Sequence, residues 1–308
     1  MKRIAITGVS GFVGANLLPY LKERGVDTIP LSRTFGPGYD AVDAVFLNQQ
    51  SVYGIVHLAG KAHDLRKEVN SAEYYEVNTE LTKRLFDAFL ESDSEVFVYL
   101  SSVKAIADRV EGALTETHIP KPLTDYGKSK LAAETYLQQA ILPPRKRVYI
   151  LRPCMIHGPG NKGNLNLLYQ VVKRGIPYPL AAFDNQRSFL SVENLCFVIQ
   201  ELLQRKDIAP GVYHIADDQC LSTNEVVEII ADVLGKRKRL IAIPASWIRA
   251  IARAGNYLPL PLNTERLQKL TEDYVVDNRK LIEALQKKLP VDAGTGLKKT
   301  ISSFTYVD

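Results

Sequence analysis

Three glycines at intervals of three, Gly8, Gly11 and Gly14, stand between the apolar run Arg3-Ile-Ala-Ile-Thr7 and the segment Ala15-Asn-Leu-Leu-Pro-Tyr-Leu21. The run is β-prone and the segment reads as a helix. Strand, glycine turn, helix is the order a dinucleotide-binding turn requires. Gly8 and Gly11 let the backbone turn tightly and approach a pyrophosphate. Gly14 lets the helix pack close to the strand, and the free N–H groups at the helix start face the anion. The spacing is GxxGxxG rather than the commoner GxGxxG. A glycine pattern alone also fits a structural turn; its place directly after the first strand is what points to nucleotide.

Val26–Leu31 reads as the second strand, followed by Ser32-Arg33-Thr34. An acidic residue at this strand end would bond a ribose 2′-OH and favour NAD, whereas an arginine can pair with a 2′-phosphate. Arg33 therefore favours NADP(H), with NAD(H) as the alternative; the bland reading is a surface arginine. Strands and helices then alternate: a strand at 53–58 ending in His57-Leu58-Ala59-Gly60, a helix at 72–90, a strand at 96–100 ending in Ser101-Ser102, a helix at 126–139, and a strand at 148–152 ending in Pro153. This predicts an α/β fold, a Rossmann-type doubly wound parallel sheet, with ligands beyond the carboxyl ends of the strands. The expected division is a dinucleotide domain at 1–157, rejoined by 190–216, and a smaller C-terminal substrate domain made of 158–189 and 217–308.

Composition narrows the class. The chain of 308 residues is 46% apolar and 24% charged, which suits a globular enzyme and not a disordered or fibrous chain. Its apolar runs are far shorter than the roughly 20 residues of a membrane span, so no integral membrane segment is expected. The net charge of +5 is mild and interspersed with acids, so no nucleic-acid partner is expected. The cluster Lys236-Arg-Lys-Arg239 reads as a solvated helix end. Cys154, Cys196 and Cys220 are widely spaced with no CxxC, so neither a metal site nor a disulfide framework is indicated, and a cytoplasmic location is the default. Gly8, Ser10 and Gly11 break the N-terminal apolar segment too early for a signal peptide.

Tyr126-Gly-Lys-Ser-Lys130 opens a helix, and residues four apart share a helix face. The YxxxK pattern recurs at Tyr169 and Lys173, so the pattern alone says little. Context separates the two copies. Tyr126 follows Ser102, which leaves a strand end, while Tyr169 lies inside an amphipathic run with no such serine before it. The chemistry needs such a trio. A carbonyl–alcohol interconversion moves a hydride, carried by a nicotinamide, and a proton. A phenol near pKa 10 works at neutral pH only if its anion is stabilised, here by Lys130. Ser102 would hold the reacting oxygen, and no metal is required.

The sequence resembles the extended short-chain dehydrogenase/reductases that act on nucleotide-linked sugars. The matching stretches are Thr7-Gly-Val-Ser-Gly-Phe-Val-Gly14, His57-Leu-Ala-Gly60, Val77-Asn78-Thr79, Ser101-Ser102, Tyr126-xxx-Lys130, Arg152-Pro153 and His157-Gly-Pro-Gly160. The resemblance implies Ser102, Tyr126 and Lys130 as catalytic residues, with Lys130 bonding the nicotinamide ribose, Asn78 helping the cofactor site and Pro153 packing near the nicotinamide. The expected cofactor contacts are Gly8, Ser10, Gly11, Phe12, Val13, Gly14, Arg33, Leu58, Ala59, Gly60, Asn78, Tyr126, Lys130 and Pro153. Two departures touch pocket shape: Gly60 replaces the usual second alanine, and Val103-Lys104-Ala105 follows Ser102 where Val-Tyr-Gly is common.

Family members lay loops like 158–164 and 185–194 over the nucleotide sugar, with an arginine on its diphosphate. That role carries to Arg187, since a planar guanidinium fork binds phosphate oxygens in pairs; the bland reading is an arginine paired with a nearby carboxylate. Ser102, Lys104, Tyr126, Asn164, Leu165, Arg187 and Arg266 form the expected substrate set. Trp247-Ile-Arg-Ala-Ile-Ala-Arg-Ala reads as a covering helix of the substrate domain in preference to a membrane-surface helix. Two chemistries compete. A reductase consumes NADPH on a ready-made 4-keto sugar; a 4-epimerase of UDP-glucose or UDP-N-acetylglucosamine keeps a tightly bound NAD. The stretches Phe97–Lys104, Gly160–Leu165 and Asn185–Phe189 resemble bacterial surface-polysaccharide proteins that make UDP-N-acetylquinovosamine or UDP-N-acetylfucosamine from the UDP-4-keto-6-deoxy sugar. The 4-keto reductase is therefore the preferred expectation. A dehydratase lacks its acid after Ser102, and a regulator without chemistry would have lost Tyr126 or Lys130. A homodimer is implied by the resemblance only.

Overall fold

The computed structural model describes residues 2–32, 38–61, 71–161, 164–258 and 262–304. Eleven strands run among them: β1 (Arg3–Thr7), β2 (Asp27–Leu31), β3 (Val52–His57), β4 (Val96–Leu100), β5 (Ala113–Leu114), β6 (Arg147–Pro153), β7 (Met155–His157), β8 (Arg187–Ser191), β9 (Gly211–Ile215), β10 (Cys220–Leu221) and β11 (Val275–Val276). Six of them form one sheet in the order β2-β1-β3-β4-β6-β9, every pair parallel. The chain leaves β1 toward β2 and then returns to β3 on the other side. This reversal opens a crevice at the carboxyl ends of β1 and β3, where open α/β sheets bind ligands.

Alternation along the strands builds two cores. Ile4, Ile6, Val56, Val96 and Val98 face one side, against helices α1 (Phe12–Glu23), through Leu17 and Leu21, and the segment 192–204, through Leu195, Ile199 and Leu202. Ala5, Ile55, Phe97 and Tyr99 face the other. There they meet the segment 81–91, through Leu85, Phe86 and Phe89, and the segment 125–139, through Ala133 and Leu137. Strand side chains point alternately to opposite faces, so neighbours such as Phe97 and Val98 serve different layers. Each large apolar side chain so buried contributes about 1.5–3 kcal/mol.

The helices, in order, are α1, α2 (Ala44–Gln49), α3 (Ser71–Tyr75), α4 (Leu81–Glu91), α5 (Asp125–Gln139), α6 (Asn164–Lys173), α7 (Val192–Gln204), α8 (Thr223–Val233), α9 (Ala245–Ala254), α10 (Thr264–Thr271), α11 (Arg279–Leu285) and α12 (Ala293–Phe304). One expectation changes here. The helix anticipated across 72–90 is α3, a π turn at 76–80, and α4. The widened turn interrupts the regular i to i−4 ladder at the height of Asn78, and such turns are frequent at functional sites.

A third apolar core lies among later elements. Leu165 and Tyr169 of α6, Phe189 of β8, Val226 and Ile230 of α8, and Leu297 and Ile301 of α12 pack together. Tyr169, half of the second YxxxK, is a buried ring of this core. β8 joins β7 in parallel and β10 in antiparallel, and β11 pairs with β5. α9 buries Ile248 and Ala252 but leaves Trp247 69% exposed, so it covers the core with only one face. No helix among the described residues is long and apolar enough to cross a membrane.

Candidate active site

The glycine turn sits in the crevice. Gly8 holds a left-handed φ of +71°, and a β-carbon there would lie 2.6 Å from the Ala59 nitrogen. Gly14 lies under the turn, where a β-carbon would overlap the Gly8 carbonyl oxygen. Gly11 caps α1 with no side-chain cap, and the first turn of α1 carries no acid. A helix start of this kind, with open N–H groups and a positive dipole end, suits a diphosphate. Ser10 is exposed on the turn, Phe12 is half-buried, and Val13 turns into the core. Leu58, Ala59 and Gly60 form the opposite wall after β3. Arg33 lies outside the described residues.

A buried polar chain ties that wall together. The Ala59 N–H donates to Thr7 Oγ1 at 3.1 Å, and Thr7 Oγ1 meets His57 Nδ1 at 2.7 Å. His57 Nε2 meets Thr82 Oγ1 at 2.9 Å, and Thr82 donates to the Asn78 carbonyl at 2.7 Å. One proton arrangement satisfies every link: Thr7 donates to Nδ1, and Nε2–H donates to Thr82. His57 is thus neutral, and burial, aided by the Lys130 charge, lowers its pKa to about 3.

Asn78, fully buried in the π turn, reaches both the loop and α5. Its Oδ1 accepts from the Lys61 N–H at 2.8 Å, and its Nδ2 donates to the Lys61 carbonyl at 3.2 Å and to Ser129 Oγ at 3.0 Å. The residue is thereby fixed beside Gly60, Lys61 and the first turn of α5.

Ser102, Tyr126 and Lys130 come together at the end of β4. Thr124 caps α5 by accepting from the Gly127 N–H, which starts the helix one residue before Tyr126. Ser102 Oγ accepts from the Lys104 N–H at 3.2 Å and lies close enough to the Tyr126 phenol to pull its pKa down. The phenol's pKa stands above its ordinary value, because burial outweighs the pull of Ser102. Lys130, 4% exposed, donates to the Leu100 carbonyl at 2.8 Å and lies 4.8 Å from the Tyr99 ring centroid. Burial lowers its pKa to about 8, against an upward pull from Glu134. Two proton-exchanging groups with displaced pKa values in one crevice form a site equipped for acid–base work.

Beneath them is a feature that sequence reasoning missed. Glu134, four residues after Lys130, is fully buried and accepts from Arg152 Nε at 3.0 Å, from Arg152 Nη2 at 2.6 Å, and from the Ser101 hydroxyl. One carboxylate thus ties α5 to the strand ends that carry Ser101 and Arg152. The repeat of four from Tyr126 through Lys130 to Glu134 was the available signal. Pro153 closes β6 and is buried.

The substrate candidates are distributed unevenly. Arg187 is half-buried at the start of β8. Its guanidinium makes no hydrogen bond or ion pair with any described residue, and burial lowers its pKa despite the charges of Glu272 and Asp273. A half-buried guanidinium without a carboxylate within 4 Å is available to a phosphate. Lys104 donates to the Asp108 carbonyl at 2.9 Å and lies 4.3 Å from the Tyr274 ring centroid. Tyr274, also unforeseen, spans the gap: its hydroxyl donates to the Ala107 carbonyl at 2.7 Å, and its backbone bridges to Arg187. Leu165 buries its side chain in the third core, which leaves only its backbone for a ligand. Asn164 opens α6, with its side chain outside the described atoms. Arg266 lies exposed in the first turn of α10.

Comparison with known proteins places this geometry in a family setting. Residues 4–216 match the model of the NAD dependent epimerase/dehydratase family. The chain is 29% identical to a UDP-glucose 4-epimerase of Vibrio cholerae, over 98% of this chain and 95% of that one. It is 28% identical to a GDP-6-deoxy-D-mannose reductase of Pseudomonas aeruginosa, over 82% and 86%. It is 25% identical to a UDP-2-acetamido-2,6-beta-L-arabino-hexul-4-ose reductase of the same species, over 88% and 66%. Its fold is that of MoeE5 in complex with UDP-glucuronic acid and NAD, at TM-score 0.77 and 22% identity, covering 99% of this chain and 100% of that one. It is also that of RMD from Pseudomonas aeruginosa complexed with NADPH, at TM-score 0.75 and 22% identity, covering 99% and 100%.

Proposed function

The chain belongs to the NAD dependent epimerase/dehydratase family, and from that premise we propose that it reduces the C4 keto group of a UDP-linked 4-keto-6-deoxy-N-acetylhexosamine. The product is of the UDP-N-acetylquinovosamine or UDP-N-acetylfucosamine type. The observation that carries the reading is the gathering of Ser102, Tyr126 and Lys130 at one strand end, where Lys130, one helical turn after Tyr126, donates to the Leu100 carbonyl two residues before Ser102.

A nicotinamide dinucleotide, when bound, supplies the hydride. The glycine turn and the start of α1 hold its diphosphate, and Asn78 and Lys130 line the ribose side. NADP(H) is preferred on Arg33, with NAD(H) as the alternative. Ser102 donates a hydrogen bond to the C4 oxygen and fixes it beside the phenol. Tyr126, whose burial keeps it protonated at neutral pH, gives its proton to that oxygen as the alcohol forms. Lys130, largely charged at pH 7, stabilises the phenolate that remains. Arg187 takes the sugar diphosphate. Two reductases among the relatives, one of them of a UDP-linked hexul-4-ose, support the reducing direction.

A second reading, a UDP-hexose 4-epimerase with retained NAD, is favoured by the relative that spans nearly the whole chain. One assay separates them. With a UDP-4-keto-6-deoxy-N-acetylhexosamine, the reductase oxidises NADPH or NADH mole for mole. The epimerase interconverts UDP-glucose or UDP-N-acetylglucosamine with its C4 epimer at constant absorbance. Failure of both overturns the proposal.

A further inference from the structure

From Val233 to Thr264 the chain carries six basic residues and no acidic one. The same stretch concentrates exposed apolar side chains: Ile241, Trp247, Ile251, Tyr257 and Leu258 are each 47–90% accessible. They belong to α9 and its flanks. α9 presents Ile248 and Ala252 to the third core, while Trp247 and Ile251 stand on one flank of its exposed face and Arg249 and Arg253 on the other. Neither arginine is ion-paired among the described residues, and Arg249 only leans toward the Phe183 ring at 5.9 Å. Of the upstream cations, Lys238 is neutralised by Glu228 and Asp232, and Arg237 has no carboxylate partner among the described residues.

Next to this stretch is a cavity of about 240 Å³. Val172, Ile176 and Val227 line its apolar part, and Lys236, Arg237 and Arg239 supply three cations. Arg239 is tethered to the Gly175 carbonyl at 3.1 Å, and the bridge between Tyr178 and Leu240 fixes the strip against the body. An apolar recess with cations, continuous in sequence with an outward aromatic and more cations, is an unusual surface for free water. Trp and Tyr favour the boundary between water and acyl chains, and Lys and Arg are drawn to anionic headgroups.

We propose that residues 236–258 form a peripheral docking face for an anionic lipid surface. Trp247 and Ile251 insert at the headgroup boundary, and Arg237, Arg249 and Arg253 contact the phosphates. Arg237, Arg249 and Arg253, which have no carboxylate partner among the described residues, supply the charge complementarity, while Lys238 is held by Glu228 and Asp232. The face includes none of Ser102, Tyr126 and Lys130, so it stands whether the reaction is reduction or epimerisation.

Trp247 is the only tryptophan in the chain, so its fluorescence reports on this face alone. The full-length protein is mixed with vesicles of equal parts phosphatidylglycerol and phosphatidylcholine, and with vesicles of phosphatidylcholine only. Docking predicts a blue shift of Trp247 emission and co-sedimentation with the anionic vesicles, both reversed by high salt. A Trp247→Ser, Ile251→Ser variant should lose at least about tenfold in vesicle partitioning while its thermal melt is unchanged. Three results overturn the proposal: no partitioning into anionic vesicles, equal partitioning into neutral ones, or unchanged partitioning of the variant. A blue shift that grows with protein concentration in the absence of lipid also overturns it, since the face would then meet a second copy of the chain.

Discussion

Gly60 and Lys130 are so close that a β-carbon on the first would stand 3.0 Å from the ammonium nitrogen of the second, and equally close to Asn78 Oδ1. Both neighbours are buried and held by their own hydrogen bonds, Lys130 to Leu100 and Asn78 to Lys61. The glycine departs from the alanine common in the family, and in this chain a methyl there would be crowded by the lysine and the asparagine. Gly60→Ala should displace the ammonium and lower kcat about tenfold, with the fold intact. A variant with unchanged kcat and an unchanged pH–rate profile would show that Lys130 has room to move.

Replacing Tyr126 with Phe removes the proton and keeps the ring against Tyr74, whose centroid is 6.2 Å away. Turnover should fall by about 10²–10⁴. Dinucleotide affinity, followed by fluorescence titration, should stay as it was. Ser102→Ala should follow the same pattern with a smaller loss. Full activity in the Tyr126 variant would remove the phenol from the reaction.

Gly8→Ala meets two obstacles, a left-handed φ and the backbone of Ala59. We expect a stability loss of about 2–4 kcal/mol in urea melts. Dinucleotide binding should be lost even where the protein remains folded, because the turn must open to admit the methyl group. Tight binding by a folded Gly8→Ala protein would mean that the diphosphate lies elsewhere.

The Glu134–Arg152 pair is nearly inaccessible, with side-chain exposures of 1% and 6%. Arg152→Met leaves a carboxylate buried beside Ser101 and should cost about 3–5 kcal/mol. The double variant Glu134→Leu, Arg152→Met should recover most of that, because it removes both charges. It should not recover kcat, since the link between α5 and the strand ends is gone. Recovery of both would make the pair purely structural.

Folding keeps His57 from taking up a proton until pH falls to about 3, whereas the unfolded imidazole protonates near 6.5. The unfolded state therefore binds more protons between those values, and stability is lost as pH drops through that window. His57→Gln can accept from Thr7 and donate to Thr82 without titrating. Relative to this variant, the wild type should lose about 2 kcal/mol between pH 7 and pH 5. Parallel melts at the two pH values would contradict the neutral assignment.

The sheet and the turn were legible because they depend on local signals. β1, β3, β4, β6 and β9 are short apolar runs bounded by breakers, and Gly8, Gly11 and Gly14 mark a backbone geometry other residues cannot adopt. The meeting of Ser102 with Tyr126 was legible too, through a strand end and a helix start. The π turn at Asn78 was not, because one extra residue in the hydrogen-bond ladder leaves the apolar period of 72–90 almost intact. Nor was Tyr274, which reaches Ala107 across 167 positions by way of β8. Leu165 shows the opposite difficulty: an apolar residue next to a loop reads as pocket or core alike, and here its side chain chose the core.

The chain order sets a timetable for synthesis. The sixth strand of the main sheet, β9, ends at Ile215 and is paired to β6, which ended at Pro153. Between them the ribosome must deliver β7, β8 and α7, so an open sheet edge waits while a foreign segment passes. The third core waits longer, since Leu297, Ile301 and Phe304 arrive last. A polypeptide released early would carry a finished glycine turn on an unfinished body, a species that a chaperone, and not a ligand, would be the first to meet.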